Sequence, residues 1–393
     1  MKQKIPELDG FRAMAILLVL NLHFSIYTGA IPGFNAITYS GWFGVDLFFI
    51  LSGFLLTLPY IKAGIEHRAL PKTWQFYKNR IFRICPLYYF SLIVFVVSAY
   101  LFGSGSAKAS INDILVHSLF LHNYPIKAIN ISPVYWSLAV EFQFYLLCPL
   151  IGFGLYHFLS LRQHKRLGLF LAILLAVPIS YRFYAATYLN IDASTQNYTN
   201  FIYVSTWSNF DAFVFGILGA IAYAYFNQLV KIISQGIWQL GFIFSIVTIY
   251  GLMAYNYYYS GLDYQKINLF NPVLFYSLLN LSWIVWLLSS LALQNKIGHY
   301  WRQFLNSKIM AYIATISYSI YLWHLSINLQ VTTLIESIGI SSVPLATIIR
   351  LLLAIILTLL ISTLTYLYIE RPILKLKQRI KKQPISQELH SKV

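Results

Sequence analysis

Residues 42–61 read WFGVDLFFILSGFLLTLPYI, twenty residues with a single charge, at Asp46. A helix of that length rises about 30 Å, the thickness of a bilayer's hydrocarbon core. It is apolar on all sides and so offers water no polar face, which makes it a membrane-spanning helix. Runs of the same kind lie near 9–28, 84–103 and 134–156, then near 167–187, 204–226, 237–256, 272–293, 309–331 and 344–369. The expected fold is an all-α polytopic integral membrane protein of about ten transmembrane helices.

Composition agrees with that reading. The 393 residues are 58% hydrophobic and 10% charged, against roughly 25% charged in an ordinary soluble domain. The net charge of +16 does not indicate a nucleic-acid partner, because the Lys and Arg residues cluster in short gaps between apolar runs, with no basic face. They follow the positive-inside rule. One alternating set of gaps holds Lys2 and Lys4, Lys62 to Lys78, Arg162 to Arg166, Lys231, and Lys296 to Lys308, ending at Arg371 to Lys382. The other set holds only Lys108, Lys127 and Lys266. An even helix count with both termini cytoplasmic satisfies every gap, so a membrane domain over 1–375 and a basic cytoplasmic tail over 376–393 are expected. Such a tail would lie near anionic lipid headgroups.

The first run carries Asp9 and Arg12 at its start and lacks a small-residue cleavage pattern, so it is read as a retained helix. Cys85 and Cys148 each precede a proline in apolar sequence and are read as packing residues, with no disulfide framework. Within 104–133, Ile111, Ile114, Leu115, Leu119 and Leu121 are spaced for a helix lying in the outer interface. Ser52-Gly53 suits close helix packing. His117 and His122 are the weak metal candidates; no metal-ligand spacing, Walker loop or dinucleotide fingerprint occurs.

Ionisable side chains at membrane depth are costly and point to function. Counting along each helix places His23, His324, Asp46, Glu141 and Asp211 in one layer of the outer half, with Arg182 and Arg350 nearby. Arg12 stands about 16 Å closer to the cytoplasm than His23, at the level where Arg80 and Arg83 open the third helix. Three arginines there suit a phosphate-bearing ligand. An imidazole and a carboxylate above them suit a general base and its orienting partner, His23 with Glu141 or Asp46. The same acids and histidines would equally serve a proton-coupled transporter.

Local strings narrow the choice. Leu8-Asp9-Gly10-Phe11-Arg12, with His23 eleven residues on, resembles the Arg-x10-His signature of acyltransferase family 3, the bacterial membrane O-acyltransferases of cell-surface and secreted sugars. Gly44 to Phe54 resembles the family's second segment, and Arg80-x-x-Arg83-Ile84-x-Pro86 its third. Trp136-Ser137-Leu138-x-x-Glu141-Phe142 resembles the fourth, Ser317 to His324 the ninth, and Glu370-Arg371-Pro372 the last. The chain resembles the stand-alone form, without a fused extracytoplasmic hydrolase-like domain.

The resemblance implies transfer of an acyl group, most often acetyl from acetyl-CoA, to a saccharide hydroxyl, without a metal. Arg12, Arg80 and Arg83 would hold the CoA phosphates. His23 would act as general base or acyl acceptor, supported by Glu141, with Asp46 and His324 as further catalytic candidates. Tyr321, Trp136 and Ser137 are weaker candidates for the substrate or oxyanion. The implied partners are acyl-CoA, a saccharide acceptor that is free or lipid-linked, and the lipids of a bacterial cytoplasmic membrane. The alternative function is export of acylated polysaccharide, with the buried histidines and acids as a proton relay.

Overall fold

In a computed structural model the described residues are 5–28, 34–102, 109–124, 131–189, 191, 195–260, 270–340 and 342–382. Lys2, Lys4, Lys108, Lys127, Lys266 and the tail beyond Lys382 lie outside them. The described chain is helical, without strands. The long helices are α1 (Pro6–Thr28), α3 (Phe43–Ile65), α4 (Thr73–Phe102), α6 (Tyr135–Ser160), α7 (His164–Tyr188), α9 (Thr206–Ala224), α11 (Gln235–Ser260), α13 (Phe275–Ala292), α15 (Lys308–Ile338) and α16 (Val343–Thr365). Shorter ones are α2 (Asn35–Tyr39), α5 (Ile111–Ser118), α8 (Thr195–Tyr198), α10 (Phe226–Ile232), α12 (Phe270–Val273), α14 (Lys296–Leu305) and α17 (Arg371–Lys382).

Nine of the helices among the described residues are long and apolar enough to cross a membrane. α15 is the tenth long helix. At 31 residues it has ample length, but Ser317, Tyr318, Ser319, Tyr321, His324 and Asn328 dilute its apolar character. α4 corrects the sequence reading: it begins at Thr73, so Arg80 and Arg83 lie within its second and third turns instead of opening it. Hydropathy marks only the lipid-embedded part of a helix, whereas Lys, Gln and Arg extend it freely.

α3 is the hub, packed against α1, α6 and α9. Its glycines permit close approach: a Cβ on Gly53 would meet the Phe213 carbonyl oxygen of α9 at 2.2 Å, and one on Gly216 the Ile50 oxygen of α3 at 2.2 Å. α15 fits between α1 and α16, and α13 between α9 and α11. Prolines 59, 86, 149 and 178 lie inside helices, where neighbouring helices compensate for the missing backbone bond.

α5 begins with a capping box: the Asp113 backbone N–H donates to Ser110 Oγ at 3.2 Å and the Ser110 N–H to the Asp113 carboxylate at 2.6 Å. Ile111, Leu115 and Leu119 are exposed while Val116 and His117 are buried, the arrangement of a helix resting in an interface. Both cysteines are free thiols. α17 continues the helical path of α16 through the π-helical turn Tyr366–Glu370 and runs across the boundary expected at residue 375.

Candidate active site

Arg12 and His23 are eleven residues apart on α1, three turns, so they share one face about 16 Å apart, with buried Ile16 and Val19 between them. On α15, Ser317, Tyr321, His324 and Asn328 recur at helical spacing, and all are buried. α1 packs against α15, bringing the two stripes together.

The two imidazoles meet there. His23 Nδ1 lies 3.1 Å from His324 Nε2 and 3.0 Å from the Val19 carbonyl oxygen. His324 Nδ1 lies 2.8 Å from the Tyr321 oxygen and 3.1 Å from that of Ile320. Carbonyls only accept, so His324 carries its proton on Nδ1 and its Nε2 is an acceptor. His23 therefore donates from Nδ1, which leaves its Nε2 lone pair outside these bonds. Asn328 Nδ2 donates to the His23 carbonyl at 2.8 Å and holds the backbone in place.

Toward the Lys- and Arg-rich end lies a polar cavity of about 110 Å³, lined by Arg12, Arg80, Arg83, Glu141, Tyr145 and Tyr321 among others. Arg12 forms an ion pair with Asp9 at 3.6 Å. Arg83 forms one with Glu370 at 3.0 Å, and Ser319 also donates to Glu370. The Arg80 guanidinium sits 5.8 Å from the Tyr145 ring centre, and its Nε has no hydrogen-bond partner among the described residues. Glu141 accepts from Ser52. Tyr321 joins the two regions: its ring lies 5.8 Å from that of His324, and its hydroxyl meets Ser137 Oγ at 2.5 Å and donates to the Val134 carbonyl at 3.0 Å.

The structure thus gathers Arg12, Arg80, Arg83, Glu141, Ser137 and Tyr321 around one cavity and pairs His23 with His324 beside it. The orienting contact of His23 is His324, in place of the expected Glu141 or Asp46. Asp46 is buried and interacts with Asp211 and Arg182, a separate network. Trp136 packs its ring against Phe49 and Tyr203. Sequence reasoning passed over Tyr145 and Tyr318, which line the cavity, and the clamp of Glu370 on Arg83. Tyr145 was findable, being one helical turn beyond Glu141; Glu370 is 287 residues from its partner and gave no local signal. His117 and His122 stack with ring centres 4.4 Å apart, and no group of three or more metal-ligating side chains forms among the described residues.

A profile of the acyltransferase domain family matches residues 5–367. The peptidoglycan O-acetyltransferase OatA of Listeria monocytogenes is 26% identical over 390 residues, 95% of this chain and 56% of that protein. The O-acetyltransferase OatA of Staphylococcus aureus is 27% identical over 382 residues, 94% of this chain and 57% of that protein. The chain spans about half the length of these curated relatives. No solved structure matches.

Proposed function

The chain belongs to the acyltransferase domain family, and from that premise we propose that it is a membrane O-acyltransferase moving acetyl, or another acyl group, from acyl-CoA to a saccharide hydroxyl. The observation that carries this reading is His23, its tautomer set by His324, on the same face of α1 as Arg12 and the arginine-lined cavity. In this reading the basic end of the bundle faces the cytoplasm of a bacterium, both termini lie there, and the histidines stand in the outer half of the cytoplasmic membrane.

The CoA phosphates bind at Arg12, Arg80 and Arg83, and the pantetheine arm carries the thioester past Tyr321 toward the histidines. His23 Nε2 takes the proton of the acceptor hydroxyl as its oxygen attacks the thioester carbonyl. The tetrahedral intermediate collapses, the C–S bond breaks, and the departing CoA sulfur takes the proton from His23. A variant of the same chemistry places the acyl group on His23 Nε2 first, with the acceptor hydroxyl attacking in a second step. Glu141, held by Ser52, balances part of the arginine charge while the anion is absent.

Purified parent chain, His23→Ala and Arg12→Ala are to be compared for acetyl-CoA binding and thioester turnover. Saturable binding that weakens at least tenfold in Arg12→Ala, with turnover abolished in His23→Ala, supports the enzyme. Absence of acyl-CoA binding by the parent overturns it in favour of an exporter, with flux across proteoliposomes the next measurement.

A further inference from the structure

At the Lys- and Arg-rich end of the bundle, where α9 and α13 finish at Ala224 and Ala292, a cavity of about 480 Å³ opens between α10, the end of α13 and α14. Its volume is within the range of ligand pockets. It shares no residue with the arginine-lined cavity of the candidate site. The lining combines apolar Phe226, Val230 and Leu291 with two cations, Lys231 and Arg302, and no acid.

α14 is fastened to the end of α13. Trp301 Nε1 donates to Ser290 Oγ at 3.0 Å, and Arg302 Nη1 donates to the Leu293 carbonyl. Gly298 allows the approach, since a Cβ there would lie 2.6 Å from that same oxygen. These bonds fix Arg302 through one nitrogen and leave the rest of its planar fork for an anion. Lys231 is exposed and takes part in no ion pair among the described residues. Residues 212–262 and 264–335, which supply every wall, contain no Asp or Glu. Glu7, bonded to Asn306 at the end of α14, does not line the cavity.

Two cations without a counter-charge call for an anion, and the apolar wall calls for one with hydrocarbon attached. The level agrees, because two spans end at this height and the headgroup region begins there. Ile232, 80% exposed on α10, and Ile297, 50% exposed on α14, are placed as side chains that enter the boundary between acyl chains and headgroups. Basic pockets between spans at that boundary suit anionic headgroups. We infer that the cavity is a site for an acidic phospholipid, with its phosphate on Lys231 and Arg302 and its first methylenes against Phe226, Val230 and Leu291. α14 also packs on α1, where a Cβ on Gly10 would lie 2.5 Å from the Leu305 oxygen, two residues before Arg12. A lipid joining α10 to α14 therefore braces the helix that carries Arg12 and His23.

The test is native mass spectrometry of the full chain in detergent, titrated with phosphatidylglycerol or phosphatidylcholine. One phosphatidylglycerol per chain is expected to be held at least tenfold more tightly than phosphatidylcholine. Lys231→Ala should weaken it about fivefold, the worth of one basic residue at a headgroup. Lys165→Ala, which removes the same charge from an exposed position outside the cavity, should hold it like the parent, and phosphatidylglycerol should raise the melting temperature of the parent more than that of Lys231→Ala. Equal retention of phosphatidylcholine would mean that any lipid adheres, and an equal loss in Lys165→Ala that the whole basic surface attracts the anion. Displacement by millimolar inorganic phosphate would assign the cations to a soluble anion; each of these three results overturns the inference. The preference between the two lipids is read on the parent chain and holds whether or not Lys231→Ala folds. No readout involves acyl transfer, so failure here leaves the acyltransferase reading untouched.

Discussion

His23 and His324, 301 residues apart in sequence, share one hydrogen through Nδ1 and Nε2 at 3.1 Å, with the far nitrogen of His324 pinned by two backbone carbonyls. In the proposed mechanism a neutral imidazole thus orients the base, where a carboxylate would be the commoner choice. His324→Ala is expected to lower kcat by about 100-fold, the low end of general acid–base contributions, with KM for acyl-CoA unchanged. His324→Gln should recover part of the loss, because its amide oxygen can accept from His23 Nδ1. Thioester turnover across acyl-CoA concentrations decides, and parental kcat in His324→Ala would remove His324 from the mechanism.

The three cavity arginines are not equivalent. Arg83 is neutralised by Glu370, which is 3% exposed, whereas Arg80 rests on Tyr145 with its Nε unpartnered among the described residues. Arg80→Ala is expected to weaken acyl-CoA binding about tenfold, the worth of one charge-assisted hydrogen bond, while the melting temperature stays put. Arg83→Ala should cost stability as well, by about 3–5 kcal/mol, because it strands a buried carboxylate. Binding isotherms and thermal melts of both variants separate the two roles.

The spans were legible because lipid leaves a strong mark on composition, and α3 is recognisable from 42–61 alone. The polar start of α4 was not, because helix there costs nothing in hydropathy and so leaves no trace in it. Depth could be counted along each helix for His23 and His324, which meet, but the same count put Glu141 in their layer, whereas it lines the cavity with Arg12, Arg80 and Arg83. Azimuth could not be counted. Asp46 is buried within electrostatic reach of Asp211 and Arg182 and Glu141 accepts from Ser52, so the group that meets His23 is an imidazole from α15. The pairing depends on how α1 and α15 rotate against each other, and a single sequence carries no signal for that.

Arg182 and Asp211 are both fully buried at 2.9 Å, and the same guanidinium donates to the Ser208 and Val273 carbonyls and to Ser277. This knot ties α7 to α9, α12 and α13. Asp211→Ala leaves an unpaired buried cation and should cost about 3–5 kcal/mol. The double substitution Arg182→Met with Asp211→Leu, which removes both charges, should recover most of that loss. Thermal melting in detergent measures both, and an additive double mutant would deny the coupling.

The stacked His117 and His122 are expected to make the α5 region acid-sensitive. Burial, and after it the neighbouring His117, push His122 down to about 4; burial also lowers His117. A histidine depressed in the folded state binds protons more readily when the segment opens. Its contribution is therefore complete above the ordinary value of about 6.5 and is lost as pH falls toward 4. Amide exchange over 110–124 should accelerate between pH 7 and pH 4.5, and His122→Phe, which keeps a stacked ring, should flatten that change. An unchanged slope in His122→Phe would place the titration elsewhere.

α3 and α9 approach closely at Gly53 and Gly216, each facing the other helix's backbone oxygen. An added methyl at either would lie 2.2 Å from that oxygen, and backbone cannot rotate away as a side chain can. Gly53→Ala or Gly216→Ala must therefore push α3 from α9, which breaks the packing of Phe49 on Phe213, with ring centres 4.8 Å apart. α3 also carries Ser52, the donor to Glu141, so the displacement reaches the cavity wall. Each variant is expected to lose about 1–3 kcal/mol, the range for overpacking, and to weaken acyl-CoA binding without touching a cavity residue. Gly251, whose added methyl would meet no atom within 4 Å, is the control: Gly251→Ala should melt and bind like the parent. If Gly53→Ala melts like Gly251→Ala, the α3–α9 contact is looser than drawn and does not set the cavity wall.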